Sequence, residues 1–482
     1  MKENSINLNE EKLGFLKIIK HLWPNFLIYN SFAFIITALI INLVIVSNII
    51  WPGAALEAHA AELGALTGVF SYSMALSGIL FGILADKLSR VKLMFLSTII
   101  LGIGLFLNGF APQGFGIITF VYFLIFSMIR GFAAGGFFPL INSYSYDSTE
   151  EKERSQFFGI LQALFQVFQI IGMLVSALLF ENSLWREFFW LTGVIIFCCG
   201  IIIFFKGKEP KRGAKQKELK EVLMDDKVKY EYKLQWDTIK ATILKPTNLI
   251  AFFEGIFTTI LIAVPDFLLI AYLQSEKNIS SFVTSIIMVG FGLPGGLIGS
   301  LAFAKISDKL GNKDIRNRLY MITFSAITIF IMFILFFFIP LPKLNQPQGL
   351  NMSVVFSFPI VWVAGILLFL GRGVMGLWNI NQPPIIQAIN LPEAQGTITS
   401  ANQFLETIGS GTGTILAGVL LFYFVGNYQI TAIITMSLGI IGGLMWLLAT
   451  IWIQKDVQRI SAILKQRGLE LSQQNNNISP NT

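Results

Sequence analysis

Five ionisable side chains sit inside long apolar stretches of the sequence: Arg130, Glu254, Asp266, Arg372 and Glu406. A charge at the centre of a bilayer costs about 3 kcal/mol on insertion scales, so each needs a partner, a route to water or a task. Arg130 and Arg372 are each followed by glycine and each lie near the middle of an apolar run. Two guanidinium groups facing one cavity would form a cationic site for an anion with an apolar part, because the planar fork of arginine grips carboxylate or phosphate through two hydrogen bonds. Helical spacing sets Phe123, Ser127, Phe137 and Tyr144 roughly on the face of Arg130, and Gly376 and Asn379 on that of Arg372. Phe137 and Asn379 therefore join the arginines as candidate solute-binding residues. The alternative is internal neutralisation, for instance Arg372 paired with Glu406.

The three carboxylates are candidate coupling groups, since a buried carboxylate that exchanges a proton or another ion changes the charge of its site. Glu254 and Asp266 fall about 120° apart around one helix and should serve different sites. Glu254 lies near the end of its run and is expected to snorkel to water. Asp266, next to Pro265, is either a protonation site or a solvated residue at the outer mouth. Glu406 is deeper, and is either a proton carrier or the counter-ion of Arg372.

Catalytic chemistry has little to draw on. The chain holds 2 histidines, His21 and His59, and 2 cysteines, the adjacent Cys198 and Cys199. No metal-ligating cluster, paired intramembrane aspartates or phosphate-binding loop is present, so no catalytic residue, metal or cofactor is expected and an enzyme is disfavoured. Gly290-Phe-Gly292-Leu-Pro-Gly295 has dinucleotide-loop spacing, but it stands inside an apolar run with no soluble strand before it.

The elements that must position these residues follow from composition. The 482 residues are 54% apolar and only 13% charged, where a soluble protein carries about 25% charge, and no polar low-complexity tract points to disorder. Twelve apolar runs are each long enough to cross roughly 30 Å of hydrocarbon as a helix: 27–50, 63–85, 93–111, 115–143, 156–180, 188–205, 248–273, 282–304, 319–340, 358–380, 398–424 and 431–453. They predict an N-terminal segment 1–26, a six-helix bundle 27–205, a linker 206–247, a second six-helix bundle 248–453 and a tail 454–482. With both termini placed inside, the inside segments hold 30 of the 35 Lys and Arg residues, as the positive-inside bias requires. The net charge of +7 then reflects topology and attraction to anionic lipid, and nucleic-acid binding is excluded as its cause.

The halves repeat. Gly82-Ile-Leu-Ala-Asp86-Lys87-Leu-Ser89-Arg90-Val-Lys92 follows the second run, and Ala304-Lys-Ile-Ser-Asp308-Lys309-Leu-Gly311-Asn-Lys313 follows the eighth. Arg130-Gly131 and Arg372-Gly373 form a second matching pair. The first of these motifs resembles the major facilitator superfamily signature Gly-x-x-x-Asp-Arg/Lys-x-Gly-Arg-Arg/Lys, with Ser89 in place of the loop glycine and Ala304 replacing the first glycine in the second copy. The resemblance implies an all-α polytopic membrane protein, with twelve transmembrane helices in two six-helix bundles that rock about a cavity lined by spans 1, 4, 7 and 10. It makes Asp86, Lys87, Arg90, Asp308 and Lys309 gating residues. Asp86 would face the start of span 11 near Thr397 and Thr399, and Asp308 the start of span 5 near Ser155, where helix N-termini favour negative charge.

Lys208-Glu209-Pro210-Lys211-Arg212-Gly213 and the stretch leading into Asp86 are similar to spinster-like transporters, a branch associated with lysophospholipids and sphingolipid phosphates. Span 1 lacks the acidic residue of that branch, and Phe137 stands where its span 4 glutamate would be. The expected function is a secondary carrier in the cell membrane, a monomer surrounded by lipid. It would move a small organic, amphipathic or lipid-like solute by alternating access, with protons or another ion as driver; an anionic solute suits the arginines. Multidrug efflux is the alternative.

Overall fold

A computed structural model describes residues 19–20, 22–148, 151–210 and 244–478. Among the described residues twelve helices are long and apolar enough to span a membrane: spans 1 to 6 are Trp23–Ile41, Leu56–Ala85, Arg90–Asn108, Ile117–Ser145, Phe157–Glu181 and Trp185–Lys206, and spans 7 to 12 are Pro246–Glu276, Ser281–Gly311, Arg316–Phe338, Pro359–Ile389, Thr397–Tyr423 and Tyr428–Ala449. Backbone groups in hydrocarbon must be satisfied within their own segment, which is why every crossing is helical.

Local chemistry sets the ends and breaks. Span 1 is interrupted at Thr37 and Asn42 and resumes as Leu43–Ile50, with Asn42 Nδ2 donating to Ala38 O at 2.8 Å. Prolines open span 7 at Pro246 and span 10 at Pro359, positions where a helix has no use for the missing N–H. The side chains of Ser89, Ser280 and Asn427 cap spans 3, 8 and 12. Span 8 carries a wide turn at Met288–Gly292, so its glycine pattern lies in a membrane helix and not in a ligand loop.

Span 10 runs to Ile389, nine residues beyond its expected end, with Pro383 and Pro384 inside the helix. After span 12 the helix Ile453–Ile478 turns back onto the second bundle, burying Ile453 and Ile460, while Thr247 Oγ1 donates to Asp456 at 2.6 Å.

The two halves touch mainly through spans 2 and 11. A Cβ on Gly64 would meet Thr414 O at 2.6 Å, and Gly418 lies against the Ala60 carbonyl, so small residues let two backbones meet. These approaches end near Tyr72, whose hydroxyl shares a hydrogen bond of 2.9 Å with that of Thr412. At the same end, away from the linker, Gln274 Nε2 donates to Ile41 O at 2.6 Å, and Glu181 accepts from the Phe282 amide at 2.6 Å. Glu57 accepts from Ser275 at 2.6 Å and from Tyr428 at 2.9 Å. Toward the linker end, Leu76, Ile79, Leu80 and Ile83 of span 2 are exposed, as are Thr397, Thr399, Ser400 and Gln403 of span 11. The cleft between the halves is closed at the far end and open at the linker end.

Candidate functional site

Arg130 is 3% exposed and lies inside the first half, where Nε donates to Phe126 O at 3.3 Å and a terminal nitrogen to Ser127 Oγ at 3.5 Å. Ser127 in turn donates to Leu66 O on span 2 at 2.9 Å. Among the described residues no carboxylate lies within ion-pair distance of Arg130. Phe137 is buried edge-on against Phe32, with ring centroids 5.6 Å apart, while Asn379 is exposed.

Arg372 does not reach Glu406. Its guanidinium is paired with Asp266 on span 7, near the Phe333 ring, which neutralises both charges in place. Glu406 is taken instead by the amides of Gln382 and Asn402.

Glu254 and Glu406 meet through a glutamine. Gln382 Nε2, on span 10, donates to Glu254 Oε1 at 2.8 Å and to Glu406 Oε1 at 2.7 Å. Thr258, one turn on from Glu254, donates to its other oxygen at 2.7 Å, and Asn402 Nδ2 donates to Glu406 Oε1. Glu254 is fully buried, so it does not snorkel to water as the sequence suggests; Glu406 is partly exposed on the span that lines the cleft. Gly255 makes the meeting possible, since a Cβ there would lie 2.9 Å from Glu406 Cγ. Thus the carboxylates of span 7 serve two sites: Asp266 answers Arg372, and Glu254 belongs with Glu406.

In the first half, spans 1 and 5 form an aromatic cluster at their linker-side part. Tyr29 and Phe165 pack with centroids 4.4 Å apart, Phe32 lies 6.3 Å from Phe165, and Tyr29 Oη donates to Gln162 Oε1 at 3.5 Å.

At the linker end the signature residues are held within their own halves. Arg90 is 1% exposed; Nε donates to Glu209 Oε1 at 2.8 Å, and its other nitrogens donate to Ser143 O at 3.0 Å and Pro210 O at 2.9 Å. Burial alone would raise the Glu209 pKa, but bonds from the Val91 amide, Arg90 and Ser89 outweigh it and hold the carboxyl below its usual value. In the second half Arg318 donates to Asp308 at 3.0 Å and to Asn381 at 3.2 Å. Lys87 and Lys309 are exposed. The side chains of Asp86 and Ser155 lie outside the described residues, and Thr397 and Thr399, the expected partners of Asp86, are exposed. Among the described residues no group of 3 or more His, Cys, Asp and Glu could hold a metal ion.

Sequence reasoning passed over Gln382, Asn402 and Arg318, and met Glu209 only as part of a motif. The spacing of Asn402 and Glu406, one helical turn apart, was the available signal for one; Gln382 was hidden because span 10 was expected to end before it.

Comparison with known proteins gives the same architecture. The chain is 23% identical over 394 residues to multidrug resistance protein MdtG of Proteus mirabilis (strain HI4320), covering 79% of this chain and 84% of that protein. It is 21% identical over 384 residues to quinolone resistance protein NorA of Staphylococcus aureus (strain N315), with the same 79% and 84% coverage. Among solved structures, a bacterial homologue of the human lysosomal transporter Spinster, in an inward-facing and unoccupied conformation, superposes with a TM-score of 0.65 at 17% identity over 91% of this chain and 98% of that one. The nucleoside transporter NupG gives 0.60 at 16% identity, over 89% and 98%. The family model of the Major Facilitator Superfamily matches residues 26–414, and with twelve spans folded as in its transporters the chain belongs to that superfamily.

Proposed function

We propose that this transporter is a secondary carrier in the cell membrane that moves a small amphipathic organic solute, driven by an ion that binds at Glu254 and Glu406. The observation that carries the reading is the shared Gln382 amide: two carboxylates on different helices meet at the edge of the cleft, and no Lys, Arg or His among the described residues compensates them. Such a pair needs one added positive charge, and supplying it from one side of the membrane and releasing it to the other links ion flow to the movement of the halves.

The linker end, open here, is assigned to the cytoplasm by its positive charge. The resistance proteins MdtG and NorA among its relatives favour export of a drug-like solute. The anion reading is weakened by geometry, since Asp266 already neutralises Arg372.

The test is counterflow in proteoliposomes with a quinolone, a macrolide, a nucleoside and a lysophospholipid. One of these should show saturable exchange that a proton or sodium gradient accelerates in the parent but not in Glu406→Gln. Equal acceleration of both proteins would remove the coupling role.

A further inference from the structure

We propose that the solute is an organic cation with an aromatic body, bound with its cationic group at Glu406 and Asn402 and its rings against Tyr29, Phe32 and Phe165. The inference rests on the coupling-site reading above and adds to it the chemical class of the solute.

The first support is what the site still lacks. Asn402 is 3% exposed, its Nδ2 is spent on Glu406, and its Oδ1 has no hydrogen-bond partner. That oxygen lies beside Glu406: a Cβ built on Gly255 would be 3.6 Å from Asn402 Oδ1 and 3.7 Å from Glu406 Oε1. Gln382, Thr258 and Asn402 donate to the two carboxylates. Asn402 Oδ1 is an acceptor, so its missing partner is a donor, and beside two carboxylates a charged one is favoured. An anion placed there would face like charge.

The second support is the register of the two walls. Counting from the linker ends of their helices at about 1.5 Å per residue, Glu254 lies roughly 12 Å deep, Gln382 about 10 Å and Glu406 about 14 Å; Tyr29 lies about 9 Å deep, Phe165 about 12 Å and Phe32 about 14 Å. Acid and aromatic walls thus share one level of a cleft that opens to the linker end. On span 5, Gln166 Oε1 is a further buried acceptor with no partner. Aromatic faces attract cations and stack on planar rings, so the aromatic wall accepts both parts of such a solute.

Exchange then follows from charge. Solute binding supplies the positive charge that the pair needs, and the proton or cation held there leaves through the open cleft. Solute and coupling ion therefore compete for one site.

Three probes of similar shape and different charge test this on the full-length protein in nanodiscs, with binding to empty discs subtracted: tetraphenylphosphonium, triphenylphosphine oxide and tetraphenylborate. Calorimetry in two buffers of different ionisation enthalpy counts the protons released. The phosphonium should bind about tenfold or more tighter than the borate, and Glu406→Gln should weaken it by a similar factor, as loss of a desolvated charge partner does. Asn402→Asp should tighten it, a gain that misfolding cannot imitate, and Tyr29→Ala should weaken all three probes. Borate binding as tight as phosphonium binding, or phosphonium affinity unchanged in Glu406→Gln and Asn402→Asp, would overturn the proposal. Gradient-driven exchange of a neutral or anionic solute would overturn it while leaving the coupling reading intact; cation binding without gradient-accelerated exchange would do the reverse.

Discussion

Arg90 and Arg372 show how the meaning of a charged residue depends on which partner lies within its reach. Arg90 belongs to the signature loop, yet its guanidinium is consumed by Glu209 and by the carbonyls of Ser143 in span 4 and Pro210, so it straps the start of the linker to the first half. Because the Glu209 pKa is lowered in the folded protein, the strap adds stability that is fully present above the unfolded carboxylate value of about 4.3 and is lost as pH falls through the folded value. Glu209→Gln should therefore lower the melting temperature at pH 7, with the gap to the parent closing as melts are repeated toward pH 3; a gap independent of pH would show that the carboxylate charge contributes nothing. The Arg372–Asp266 pair calls for a double-mutant comparison. Arg372→Ala alone should cost about 3 kcal/mol, because it leaves an unpaired carboxylate in the membrane, and adding Asp266→Ala should recover part of the loss. Strictly additive losses in detergent melts would mean that the two side chains do not interact.

At the scale of helices, the sequence announced most of the architecture because hydrocarbon thickness imposes one length on every span. All twelve runs are found, and the repeated Asp-Lys and Arg-Gly motifs mark the two halves. Span 10 was legible only in part. The apolar run stops at residue 380, yet the helix continues through Pro383 and Pro384: proline lacks an N–H and crowds the preceding turn, but in a membrane neighbouring groups satisfy the freed carbonyls. That misplaced end put Asn381 and Gln382 in a loop and so concealed the residue that joins Glu254 to Glu406. The partner of Arg372 was missed for a different reason: Glu406, the candidate on span 11, is bound by Gln382 and Asn402, which leaves Asp266 of span 7 to the arginine. The glycine contact of spans 2 and 11 gives a test. Gly418→Leu should force spans 2 and 11 apart at the far end, because its side chain would enter the Ala60 backbone, whereas Gly290→Leu meets nothing within 4 Å. Spin-label distances across the far end should lengthen and broaden for the first and stay unchanged for the second; no change in either would mean that the interface absorbs the bulk without separating.

For the whole molecule, the hydrogen bonds between the halves explain why one end is shut. Glu57 and Glu181 belong to the first half and accept from Ser275, Tyr428 and the Phe282 amide of the second, all beyond the glycine contact of spans 2 and 11. Alternating access requires these bonds to break when the far end opens, so their strength sets part of the population of the two states. A hydrogen bond to an ionised group is worth about 1.5–3 kcal/mol, and each 1.4 kcal/mol is tenfold in an equilibrium. Removing the acceptors with Glu57→Ala and Glu181→Ala should therefore move the equilibrium toward the far-open state by about tenfold or more. Cysteines placed at Thr67 and Ile415, in the sealed contact, report it: thiol labelling from the far side should accelerate in the double variant and slow in the parent when solute is supplied from the linker side in excess. The same variant should keep the Glu254–Gln382–Glu406 site, which lies on the other side of the seal, so its affinity for a ligand held there should change only through the shift in population. Faster labelling with an intrinsic affinity that also changes would mean that the far-end bonds and the acidic pair are one coupled device; unchanged labelling would place the seal in the glycine contact alone.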